Sequence, residues 1–130
     1  TAGLDADAVR AGRTSLPALA GLLATAGRVV CGDTGVAHLA TAVRAPSVVL
    51  FGPTAPAEWG PPAHRSWHRA LWAGRYGDPH AEVADPGLLR ISVEDVLAAL
   101  ADLPSAQEAD GAGARCTTLT TVTSSSSSGP

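Results

Sequence analysis

The tightest constraint on this chain lies between residues 28 and 54, where two short apolar runs each break at a glycine-containing turn. Arg28-Val29-Val30-Cys31 is too brief and too β-branched for a helix, so it reads as a buried strand. Gly32-Asp33-Thr34-Gly35 follows as a turn, and Val36 to Arg44 reads as a helix stopped at Ala45-Pro46. Ser47 to Phe51 is a second buried strand, which leaves through Gly52-Pro53-Thr54. A helix is also expected ahead of the first strand. Ser15 is its cap, Pro17 sits in its first turn, Leu16, Leu19, Leu22 and Leu23 share a face, and Ala26-Gly27 ends it. The order is αβαβ, and strands joined by helical crossovers run parallel. The expected fold class is therefore α/β.

Beyond Thr54 the regular pattern dissolves. Residues 55–86 are rich in Pro, Gly, His and Trp and read as a long structured loop with one short strand near Ala70-Leu71-Trp72. A last helix is capped by Ser92, with Asp95 three residues on and an apolar stripe of Val93, Val96, Leu97 and Leu100, and Pro104 ends it. Residues 1–103 are thus the expected folded part. Residues 104–130, Ala/Gly-rich and then Thr/Ser-rich, bury too little to offset their ordering entropy and are expected to be disordered. With aromatics at 4%, the core must rest on Leu and Val, which leaves a small domain a thin margin.

Several function classes fall away on composition. The net charge of −3 is spread without blocks, which argues against a nucleic-acid partner. No apolar run approaches the roughly 20 residues of a spanning helix, and no basic-then-apolar leader opens the sequence, so a cytoplasmic location without a transmembrane segment is expected. Cys31 and Cys116 have neither metal nor disulfide spacing, and His64, His68 and His80 match no metal motif. Cys31, ending an apolar strand, reads as a small packed side chain. Neither a Gly-x-Ser-x-Gly elbow nor a Walker loop is present, which argues against hydrolase and kinase chemistry.

The turn at Gly32-Asp33-Thr34-Gly35 carries the chemistry. A strand running straight into a helix sets the helix N-terminus at the carboxyl edge of the sheet. The first N–H groups there lack intrahelical partners and have the positive end of the helix dipole behind them, which suits an anionic oxygen. Gly35 lets a diphosphate approach the backbone, Thr34 adds a hydroxyl, and Asp33 can cap the helix. His38, one turn in, can donate to a phosphate or a sugar hydroxyl. Helix capping alone would also account for Asp33, and a structural role for His38. Gly52 and Thr54 sit in a second loop at the same edge. An ordinary Gly-Pro turn explains them as well, and their chemistry alone favours that reading. Trp59, Trp67 and Trp72 could line a sugar site or form the core of their own loop.

The run Val29-Val30-Cys31-Gly32-Asp33-Thr34-Gly35-Val36-Ala37-His38-Leu39-Ala40, followed by Pro46 to Thr54, closely resembles glycosyltransferase family 9, the ADP-heptose–lipopolysaccharide heptosyltransferases and their relatives. The resemblance covers roughly residues 13–103, more loosely through Trp59-Gly60-Pro61-Pro62 and Gly77-Asp78-Pro79-His80. It implies a GT-B fold of two Rossmann-like domains, of which this sequence would hold the later part of the C-terminal, donor-binding one. It implies a nucleotide-sugar donor, expected to be an ADP-sugar, and a sugar hydroxyl as acceptor. Transfer of a glycosyl or heptosyl group would be inverting and metal-independent, with no cofactor. Asp33, Thr34, Gly35 and His38 would hold the donor, bordered by Gly52 and Thr54. The base would belong to an N-terminal domain outside this sequence, which a separate chain could supply. The alternative is a non-catalytic nucleotide-binding fragment or one half of a split protein.

Overall fold

The computed structural model describes residue 3, residues 5–105 and the backbone of residues 120–121. After a 3-10 turn at Ala6–Ala8, the elements are α1 (Leu16–Thr25), β1 (Val29–Gly32), α2 (Gly35–Ala42), β2 (Ser47–Phe51), α3 (Pro56–Trp59) and β3 (His68–Trp72). A second 3-10 turn at Leu88–Arg90 leads to α4 (Val93–Asp102) and, in the tail, β4 (Thr120–Thr121). The sheet order is β1-β2-β3-β4 and every pairing is parallel. The α/β class and the parallel sheet expected from the αβαβ order are therefore present. Among the described residues no helix is long and apolar enough to cross a membrane.

Local chemistry fixes most boundaries. Ser15 accepts from the Ala18 N–H at the start of α1. At α4, Ser92 and Asp95 bond each other's backbone N–H groups in a full capping box. Helix α2 stops short of the expected Arg44 because the chain closes it earlier. The Ala45 N–H reaches the Ala40 carbonyl at 2.9 Å and the Arg44 N–H reaches Thr41, with Arg44 itself left-handed at φ 58°. That closure is a Schellman motif without its usual glycine.

The pleat sends alternate strand residues to opposite faces. On one face Val29, Val49, Phe51 and Ala70 pack under α1 and α2, together with Leu23, Ala37 and Ala40. On the other, Val48 and Leu71 pack against Leu103 and the α4 residues Val96, Ala99 and Leu100. Two expected stripes are narrower than the sequence suggests. On α1 only Leu19 and Leu23 reach the core while Leu16 and Leu22 stay exposed, because α1 meets α2 and the start of β1 rather than crossing the sheet. On α4 the contacts come from Val96, Ala99 and Leu100, followed by the cap residue Leu103, so Val93 and Leu97 face outward. Arg69 ties β3 to the end of α4, donating to Asp102 at 2.9 Å.

The loop expected at residues 55–86 holds more structure than the sequence suggests, gaining α3. Its strand near Ala70-Leu71-Trp72 is present and extends back to His68, and the 3-10 turn at Leu88–Arg90 follows the loop. Of the tail expected to be disordered, residues 106–119 and 122–130, Cys116 included, lie outside the described residues. Thr120 and Thr121 pair with Leu71 and Trp72.

Candidate functional site

Because the strands are parallel, β1 and β2 both deliver their turns to the same edge. The ladder runs one step beyond β1, where the Asp33 N–H donates to the Leu50 carbonyl at 3.1 Å. That pairing moves the helix cap one residue downstream of the expected Asp33. Thr34 is the N-cap of α2, extended at φ −143° and ψ 176°, and its side chain makes no capping bond. The amide end of α2 is thus left without a side-chain cap, with its cap residue Thr34 at the sheet edge.

At that edge is an open cleft of about 530 Å³. Gly32, Asp33 and Thr34 form one side, and Gly52, Pro53 and Thr54 form the other, with Leu50, Pro79 and Leu88 adding apolar surface. The structure therefore brings Asp33, Thr34, Gly52 and Thr54 together on one cleft. Gly35 and His38 do not line it. Gly35 is the exposed first residue of α2, and His38 is exposed one turn further on. His38 still acts on the site electrically. Partial burial lifts the Asp33 carboxyl above its ordinary value, and the nearby His38 offsets part of that rise. Burial, helped by Asp33, also pushes the half-buried Cys31 thiol up, which keeps it protonated and poorly nucleophilic. Among the described residues no three His, Cys, Asp or Glu side chains are grouped to hold a metal.

The loop after β3 closes the cleft, which the sequence did not reveal. The Trp72 indole N–H donates to the Gly52 carbonyl at 3.1 Å and to the Arg75 carbonyl at 3.2 Å, and Tyr76 packs edge-on against its ring. The Gly77 N–H donates to the Pro53 carbonyl at 3.0 Å. These bonds bring Pro79 and Leu88 to the cleft, where neither residue type advertises a ligand. A usable signal was Asp85-Pro86-Gly87, whose aspartate can bond the backbone two residues on. None of Trp59, Trp67, Trp72, His64, His68 or His80 lines the cleft. Trp67 and His68 sit at the opposite edge, where the strands begin.

Two comparisons with known proteins find related sequences. Residues 1–82 match the family described as Glycosyltransferase family 9 (heptosyltransferase). Over 52 residues, 40% of this chain, the sequence is 42% identical to a lipooligosaccharide heptosyltransferase 2 of Haemophilus influenzae, a stretch that spans 15% of that relative's length. No solved structure matches the chain. With the family match covering well over half of its residues, this chain belongs to glycosyltransferase family 9.

Proposed function

We propose that this chain is the donor-holding segment of a GT-B glycosyltransferase. It would position an ADP-activated sugar for inverting, metal-independent transfer to a sugar hydroxyl. The observation that carries the reading is the uncapped amide end of α2, which opens on a glycine-walled cleft at the carboxyl edge of a parallel sheet. The Thr34 and Gly35 N–H groups would hold the diphosphate. The helix dipole would then stabilise the negative charge that grows on the leaving nucleotide as the glycosidic bond breaks. Asp33 would accept a hydroxyl of the donor sugar, and His38 would donate to its phosphate end. Thr54 and Gly52 would border the pocket. The base that activates the acceptor would come from an N-terminal domain outside these residues, and the transferred group would be heptose or a related sugar.

A substitution at Gly35 tests the reading without disturbing the fold. A Cβ there meets nothing within 4 Å, so the chain has room for a side chain. Gly35→Asp would place a carboxylate at the amide end of α2, beside the proposed diphosphate and repelling it. It should abolish ADP binding in calorimetry at a nearly unchanged melting temperature, and undiminished binding would sink the reading.

A further inference from the structure

We propose, resting on the donor-site reading above, that Asp85 is a positioning residue whose carboxylate fixes the turn at 85–88, packed against the Gly52 turn, and so sets the far wall of the cleft. Asp85 Oδ1 accepts from the Gly87 N–H at 2.8 Å and the Leu88 N–H at 3.0 Å. Its carbonyl accepts from Leu89 at 3.1 Å. These bonds start the 3-10 turn that presents Leu88 to the cleft. Asp85 itself does not line the cleft, so its influence runs through the wall.

Three glycines make room for this one side chain. A Cβ on Gly52 would sit 3.3 Å from the Asp85 Cβ and 3.4 Å from the Leu88 Cβ, tighter than ordinary contact. A Cβ on Gly77 would overlap Asp85 Oδ2 and press on Pro53, and one on Gly87 would come within 2.8 Å of Asp85 Oδ1. None of the three has a positive φ, so close approach, not backbone conformation, accounts for glycine at each. The Gly77–Pro53 and Trp72–Gly52 bonds complete the seam. Tyr76, Asp78, Pro79 and His80 are all exposed, so little apolar burial holds this loop. In such a segment a few well-made polar bonds decide between the closed and open loop.

The test compares wild type, Asp85→Ala and Asp85→Asn, with ADP as the probe. Asparagine keeps the Oδ1 acceptor and alanine removes it. In Asp85→Ala, amide exchange protection at Gly87 and Leu88 should fall and ADP affinity should drop on the order of tenfold. The melting temperature should stay near wild type, because the turn lies outside the core. Asp85→Asn should restore both protection and affinity, a rescue that general destabilisation would not produce. Wild-type affinity in Asp85→Ala, or unchanged protection at Gly87 and Leu88, would overturn the proposal. If the wild type binds no ADP, the donor reading fails by itself, and the exchange comparison still decides whether Asp85 fixes the turn.

Discussion

Buried at the start of β3, His68 shares a 2.7 Å hydrogen bond between its Nδ1 and Ser47 Oγ, while its Nε2 has no partner among the described residues. Burial, reinforced by Arg65 and Arg69, pulls its pKa from 6.5 down to about 4. The unfolded chain therefore takes up this proton first as pH falls. The contribution of the site is full above about pH 6.5 and drains away as pH drops toward 4, a loss of about 3 kcal/mol at most. Urea melts at pH 7 and pH 5 should show wild type losing more stability than His68→Gln, and parallel losses would refute the assignment. Asp33 and His38 illustrate what residue types could and could not reveal. Their place near the amide end of α2 was legible from the Gly32-Asp33-Thr34-Gly35 pattern. The shift of the cap from Asp33 to Thr34 was not, because the pairing of the Asp33 N–H with Leu50 depends on a strand about 17 residues away.

At the level of elements, helix α4 is the part most completely written in local sequence. Its capping box is made by Ser92 and Asp95 alone, and those bonds also hold the Asp95 carboxyl below its ordinary value. Ser92→Ala should cost about 1 kcal/mol, read as a lower midpoint in urea with an unchanged slope. Strands β1 and β2 were equally legible, being short β-branched runs between turn residues. The facing of the helices was not. Periodicity groups Val93 and Leu97 with Val96 and Leu100, but which part of that arc meets Val48 and Leu71 is settled by how the helix lies on the sheet. The loop from Ala73 to Ile91 was the least legible element. Its order rests on glycines that admit Asp85 and on the Trp72 bond to Gly52, contacts that join distant residues and leave no local periodicity.

For the molecule as a whole, a parallel sheet covered on both faces sets two glycine turns side by side at one edge and keeps the buried Ser47–His68 pair at the other. On the donor-site reading proposed above, the cleft edge holds the donor, and the base that activates the acceptor comes from a domain outside these residues. The purified 130-residue chain should therefore transfer no sugar from ADP-glucose to any acceptor, and measurable turnover would overturn this division of labour. The central claim, that the cleft over α2 is a working nucleotide-sugar half-site, is tested most directly by calorimetry. ADP and ADP-glucose would be titrated into wild type, Asp33→Ala and His38→Ala. The predicted result is saturable binding of both ligands by the wild type, with ADP-glucose weakened on the order of tenfold by each substitution and ADP weakened by His38→Ala alone. A cooperatively folded wild-type chain that binds neither ligand, or variants that bind ADP-glucose as tightly as wild type, would contradict it.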